Sequence, residues 1–134
     1  MKKFSSHWIS SNKPKKQRKY VAQAPNHVKR KLISSNLSKA LREAHKKRSL
    51  PLRKKDIVKV MRGTFKKKTG KVIEINAKYN QVFIEGIQKT KKDGTKISVP
   101  FNSSNLQIIE LNTEDKKRIN KSHQEKQTKT NNKQ

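Results

Sequence analysis

The second half of the chain alternates apolar and polar residues at the period of β-strands. Five short runs rich in Ile and Val occur between residues 56 and 111, and turn-forming residues such as Asp93-Gly94 separate them. The runs are Ile57 to Met61, Lys71 to Ala77, Gln81 to Ile87, Thr95 to Val99 and Leu106 to Leu111. Strands at this spacing predict a small five-stranded barrel, closed or nearly closed, because closure removes exposed strand edges without a large core.

Helical periodicity is confined to the segment before the strands. Pro25 can begin a short helix, with Val28 and Leu32 on one side. A second helix is predicted, capped by one of residues 34–36 and stopped by Pro51. Its apolar stripe is Leu37, Ala40, Leu41 and Ala44, spaced i, i+3, i+4 and i+7.

The two ends of the chain show little periodicity. Residues 1–24 are predicted to be extended, and Trp8, without apolar neighbours at usable spacing, is interpreted as stacking or packing against a binding partner. Thr113 can cap a short, weak helix, after which the Asn-, Gln- and Lys-rich tail should stay mobile unless a partner fixes it. The predicted domains are an extended basic tail (1–24), a helical basic arm (25–55), the barrel (56–111) and a C-terminal helix with a flexible tail (112–134).

Charge narrows the class of partner. The 134 residues include 36 Lys and Arg against 9 Asp and Glu, a formal charge of +27, and only 29% are hydrophobic. Residues 1–55 carry 18 of these cations against the single acid Glu43, a net charge of +17. Such self-repulsion disfavours compaction unless a polyanion neutralises it, so the predicted partner is a nucleic acid.

Other classes of function lack their signatures. No cysteine is present, no apolar run is long enough for a membrane span or secretory signal, and the four histidines lack zinc spacing, so we expect a cytosolic chain without metal or cofactor. The glycine loop at residues 63–70 lacks the ending of a nucleotide-binding P-loop. The barrel's carboxylates are scattered and are interpreted as serving solubility and turn formation, not catalysis; they are Asp56, Glu74, Glu85, Asp93 and Glu110.

The first strand and its turn carry a recognisable motif. Residues 56–75 read DIVKVMRGTFKKKTGKVIEI, which resembles the KOW motif of SH3-like barrels in ribosomal proteins and transcription elongation factors. Gly63 and Gly70 permit positive φ or close backbone approach, so the loop can lie against a sugar-phosphate chain while residues 66–68 supply charge.

The context of this motif points to one family. The segments APNHVKRK (24–31), SSNLSKALR (34–42), RSLPLRKKD (48–56), DGTKISVP (93–100) and SNLQII (104–109) are similar to large-subunit ribosomal protein L26 of archaea and eukaryotes, the counterpart of bacterial L24. The resemblance runs from about residue 24 to 120. Two departures are a missing glycine in the loop, where Lys66-Lys67-Lys68-Thr69 stands, and Phe101 in a region that usually contains a histidine.

The resemblance implies a non-catalytic role in the large ribosomal subunit. It implies binding to the 5′ domain of large-subunit rRNA early in assembly, beside neighbouring ribosomal proteins and near the polypeptide exit tunnel. No membrane or small-molecule substrate is expected. The run from Lys13 to Lys19 also resembles a nuclear import signal, which leaves nuclear or nucleolar transit open. The rival readings are a KOW-type transcription elongation factor and an RNA-processing factor.

The predicted RNA contacts are the cations of the tail, the arm and the loop, with Trp8, His27 and two glycines. They are Trp8, Lys13, Lys15, Lys16, Arg18, Lys19, His27, Arg30, Lys31, Arg42, Lys47, Arg48, Arg53, Lys54, Lys55, Arg62, Gly63, Lys66, Lys67, Lys68, Gly70 and Lys71.

Overall fold

The computed structural model describes residues 4–5, 11–113 and 118, which form three α-helices and seven β-strands. The elements are α1 (Pro14–Gln23), α2 (Asn26–Leu32), β1 (Ser34–Leu37), α3 (Lys39–His45), β2 (Ser49–Pro51), β3 (Ile57–Val60), β4 (Thr69–Asn76), β5 (Gln81–Thr90), β6 (Lys96–Asn102), a 3₁₀ turn (Ser103–Asn105) and β7 (Leu106–Glu110). Trp8 lies outside the described residues, as do the tail and, except for Arg118, the helix predicted after Thr113.

All seven strands form one sheet in the order β2-β1-β7-β3-β4-β5-β6. The pairs are antiparallel except for β1 and β7, which run parallel. The five predicted strands are confirmed as β3 to β7. The sheet has two further strands, β1 and β2, in the segment that was predicted to be a helical arm. These two strands pair with each other, and β1 also pairs with β7.

The start of the second predicted helix, which is α3 in the structure, was predicted wrongly. Residues 34–36 are not its cap but part of β1, and α3 begins at Lys39 with Ser38 as the cap, whose side chain accepts a hydrogen bond from the Leu41 amide at 3.4 Å. Leu37, assigned to the helical stripe by its spacing, is fully buried in the sheet beside Ile108. The i+3 and i+4 pattern therefore combined one strand residue with three helix residues.

The N-terminal segment contains a helix where an extended chain was predicted. Residues 14–23 form α1, with Pro14 in its first turn and no buried residue. Lys, Gln, Arg and Ala dominate the helix, and their intrinsic preference allows a helix that lacks an apolar stripe. The short helix predicted at Pro25 is confirmed as α2, with Pro25 as its N-terminal cap residue.

One hydrophobic core lies inside the curved sheet and receives side chains from every strand. Its buried members are Ile33, Leu37, Leu50, Leu52, Val58, Val60, Val72, Val82, Ile84, Ile87, Phe101, Leu106 and Ile108. The pairing of β5 with β6 shifts register between Phe83 and Gln88, which bends the sheet. This arrangement confirms a mainly β, barrel-like fold with a helical N-terminal part, and Phe101 is buried in its core.

Candidate nucleic-acid interface

The predicted cations of the N-terminal region lie on helices. Lys13 precedes α1 and four more cations lie on it, all with exposed side chains: Lys15, Lys16, Arg18 and Lys19. His27, Arg30 and Lys31 lie exposed on α2. The Lys29 ammonium donates to the Ala22 carbonyl at 3.1 Å and so links the two helices. The sequence of α1 contains no acidic residue, so the charged side chains of this helix are all positive.

The cations around α3 have different surroundings. Arg42 is half-buried, and its Nε donates to the Leu37 carbonyl at 2.8 Å, which fixes the turn between β1 and α3. Lys47 is half-buried and Arg48 is exposed in the segment that follows the helix. Lys46 ends α3 in the left-handed conformation, with φ of 49°. Because Arg42 already serves the fold, its substitution would not report on RNA contact alone.

The loop between β3 and β4, residues 61–68, is a fixed turn. The Lys67 amide donates to the Val60 carbonyl at 2.8 Å, and the Phe65 ring packs edge-on against Phe101, with ring centroids 6.0 Å apart. Sequence reasoning did not single out Phe65, although an aromatic residue within a lysine run was a possible signal. The contact of Phe65 with Phe101 and the hydrogen bond of the Lys67 amide give the loop a defined backbone path. This path carries four exposed cations, Arg62, Lys66, Lys67 and Lys68.

The two loop glycines serve different purposes. Gly63 takes φ of +90°, a left-handed conformation that favours glycine. Gly70 lies in β4, where an added Cβ would approach the Glu85 carbonyl oxygen to 2.6 Å. Lys67 takes φ of 73° within the run that lacks the family's additional glycine, so the chain adopts the left-handed turn there without one. Lys71 follows on β4 with its side chain exposed.

Changing Lys66, Lys67 and Lys68 together to alanine should weaken RNA binding while the barrel stays folded. All three side chains are exposed, and alanine keeps the Cβ, so the backbone strain at Lys67 is unchanged. Each lost phosphate contact should make the slope of log affinity against log salt shallower by about 0.7–0.9. The loss of Lys68 from the Phe65 ring, 5.2 Å away, should lower the free energy of unfolding by only about 0.5–1 kcal/mol.

Affinity titrations over a range of salt, together with urea unfolding, check both halves of this prediction. An unaltered salt slope would show that the loop makes no phosphate contact.

Five of the predicted cations, from two separate segments of the chain, line a groove beside β2 and β4. This basic groove has a volume of about 770 Å³. It is lined by Arg30, Lys31, Ile33, Pro51, Leu52, Arg53, Lys54, Lys55, Ile75, Ala77 and Asn112. Two cations come from α2 and three from the segment between β2 and β3, so folding brings together cations that are more than twenty residues apart in sequence.

Below the groove, Asp56 organises the segment that carries three of these cations. Its carboxylate is fully buried and accepts from the backbone amides of Arg53 at 2.8 Å and Asn112 at 3.0 Å. Both guanidinium Nη atoms of Arg118 donate to it, at 2.8 and 2.7 Å, and one of them also donates to the Pro51 carbonyl at 2.7 Å. The solubility role assigned to Asp56 is therefore wrong, because Arg118 reaches it from 62 residues away.

The hairpin formed by β5 and β6 carries cations outside the predicted set. Lys89, Lys91, Lys92 and Lys96 are all exposed on it. At its turn, Asp93 accepts from the amide and hydroxyl of Thr95, and these bonds hold the pKa of Asp93 below its ordinary value. The turn-forming role predicted for Asp93 is confirmed. These lysines belong to the opposite end of the strand order from β2.

The described residues contain neither a metal-binding cluster nor a membrane-spanning helix. Within residues 4–5, 11–113 and 118, no group of three or more His, Asp or Glu side chains is placed to hold a metal ion. Helices long and apolar enough to span a membrane are also absent from this part of the chain.

Comparison with known proteins gives the family. The family described as ribosomal proteins L26 of eukaryotes and their archaeal L24 forms matches residues 11–124. The large ribosomal subunit protein uL24 of Nanoarchaeum equitans is 43% identical over 115 residues, which cover 86% of this chain and 77% of that relative. The match includes the helices, all seven strands and the β3–β4 loop. The chain therefore belongs to the ribosomal protein family L26 of eukaryotes and archaea.

Proposed function

We propose that the chain is a structural constituent of the large ribosomal subunit that binds the 5′ domain of large-subunit rRNA near the polypeptide exit tunnel. The family match over residues 11–124 carries this proposal. The exposed cations of α1, the β3–β4 loop and the basic groove supply a chemistry suited to phosphates, which position a protein on RNA without reading its sequence. The role is structural, supporting subunit assembly, and involves no catalysis.

The same proposal sets partners and place. The partners are large-subunit rRNA and neighbouring ribosomal proteins, with no membrane and no small-molecule substrate. The working location is the ribosome in the cytoplasm, and the basic run from Lys13 to Lys19 could serve nuclear or nucleolar transit during assembly.

Purified large subunits washed in high salt test the ribosomal role against its rivals. The chain should remain in the particles at one copy per subunit. A transcription elongation or RNA-processing factor of the KOW type would instead be lost in the wash or be far below stoichiometric amount, and that result would overturn the proposal.

Salt dependence tests the contribution of α1. Changing Lys13, Lys15, Lys16, Arg18 and Lys19 to glutamine should make the slope of log affinity against log salt shallower by about 3.5–4.5, if all five neutralise phosphates. Deleting the arm up to Lys54 would not test this, because it would remove β1 and β2 with the buried Leu37 and Leu50. Substitution in place leaves the core intact, since α1 buries no residue.

A matched variant controls for net charge alone. Changing Lys78, Lys89, Lys91, Lys92 and Lys96 to glutamine removes five exposed cations, four from the β5–β6 hairpin and one from the β4–β5 turn. Filter binding or fluorescence anisotropy with one rRNA fragment should show a nearly unchanged slope. Equal losses in the two variants would mean that affinity follows total charge rather than the α1 surface.

A further inference from the structure

The basic groove differs from the surface of α1 because its floor is apolar. Ile33 and Leu52 are 3% and 6% exposed, and Ile75 and Ala77 are half-buried beside them. The cations of α1, in contrast, lie on a helix that buries no residue. A second groove of about 760 Å³, beside the β5–β6 hairpin, also combines lysines with apolar residues, but Asp93 is part of its lining. A phosphate chain alone needs only charge, so the apolar floor requires a separate explanation.

The size of the groove limits what can enter it. Its volume of about 770 Å³ lies within the roughly 300–1,000 Å³ that is typical of small-molecule pockets. An RNA double helix is too wide for such a space, whereas one nucleotide turned out of its strand fits. Proteins that recognise RNA sequence commonly bind such unpaired bases.

The rim supplies the charge that a nucleotide requires. None of the groove's eleven lining residues is acidic. Arg30, Lys31 and Lys54 have exposed side chains on this rim. A guanidinium plane can stack on a base, and ammonium groups can contact the flanking phosphates. The rim and floor together therefore match the polar and apolar parts of one nucleotide.

We propose that the basic groove binds a single unpaired nucleotide of RNA, with its base on the floor formed by Ile33, Leu52, Ile75 and Ala77. The phosphates on either side of that nucleotide lie at Arg30, Lys31 and Lys54. The inference rests on the proposed function, because it assigns a particular RNA feature to a protein that binds rRNA.

Three RNA hairpins test the proposal with the full chain. One has a fully paired stem, one carries a single uridine bulge in that stem, and one has an abasic nucleotide at the bulge. The uridine bulge should bind at least about fivefold more tightly than the paired stem, because only an unpaired base can leave water for the apolar floor and stack on a guanidinium plane. The abasic bulge should lose most of that gain, and 4-thiouridine at the bulge should cross-link to residues of the groove.

Paired variants locate the preference on the protein. Changing Arg30, Lys31 and Lys54 to glutamine should bring the affinity ratio of bulged to paired RNA close to one. The control, with Lys89, Lys91 and Lys92 changed to glutamine, removes the same charge from the groove beside the β5–β6 hairpin and should keep the ratio. All six side chains are exposed, and urea unfolding should confirm that both variants fold.

The outcomes separate this inference from the proposed function. Equal affinity for bulged and paired RNA with a normal salt slope overturns the nucleotide site and leaves rRNA binding in place. Cross-links confined to other surfaces have the same consequence. A glutamate-rich peptide that displaced the bulged RNA from the groove would assign it to an acidic protein segment instead. Failure to bind any of the three RNAs at low salt would overturn both proposals.

Discussion

Replacing Asp56 with alanine should lower the free energy of unfolding by about 3–5 kcal/mol, since removing one partner leaves the other charge buried and unpaired. The Arg118 side chain is 3% exposed, so its guanidinium would lose its carboxylate without gaining water. The amides of Arg53 and Asn112 would lose their acceptor as well. Such a loss is a large fraction of the total stability of a small domain. Urea unfolding followed by circular dichroism measures it.

Three further variants show whether the ion pair itself is responsible. Asp93→Ala removes an exposed carboxylate of a hairpin turn and should change the unfolding midpoint far less. Asp56→Asn keeps an acceptor for one backbone amide and should be less damaging than alanine. Arg118→Met should also destabilise, and the double variant should be more stable than the two separate losses predict. Strict additivity would mean that the two side chains do not stabilise each other.

Gly70→Val is expected to destabilise the pairing of β4 with β5, although valine normally favours strands. A Cβ at this position would lie 2.6 Å from both the Glu85 carbonyl oxygen and the Ile84 Cγ2 atom. The oxygen belongs to the backbone of β5, so relief requires β4 and β5 to separate. Overpacking of this kind costs about 1–3 kcal/mol or more. Thermal unfolding should show a lower midpoint, and Gly70→Ala should already reproduce much of the loss.

Gly63→Ala is the matched control for this change. Gly63 takes φ of +90°, but nothing lies within 4 Å of its added Cβ. The cost there comes from backbone conformation alone and should be about 1–2 kcal/mol. If Gly70→Ala were as stable as the unchanged chain, β5 would have to move without penalty, and close approach would not be the reason for glycine.

The sequence by itself determined the five strands β3 to β7 and the class of partner. Alternation between residues 57 and 110 depends on which face of a strand is buried, and that period of two is visible in the chain. The excess of 36 cations over 9 acids likewise indicated a polyanionic partner, because the net charge of a chain does not depend on how it folds. The family motif also predicted the loop between β3 and β4, because its glycines and lysines lie within a few residues of one another in the chain.

The tertiary structure decided what depends on residues far apart in the chain. Leu37 has the spacing of a helix residue, but pairing with Ile108 places it in the sheet. Asp56 has no local feature that distinguishes it from a surface acid, and only the approach of Arg118 makes it a buried ion pair. Gly70 is required by the backbone of β5, not by its own turn. Likewise, the basic groove exists because α2 packs beside β2 and brings Arg30 near Lys54. Local patterns record burial and propensity, whereas these features arise from long-range contacts that form only when the sheet closes around its core.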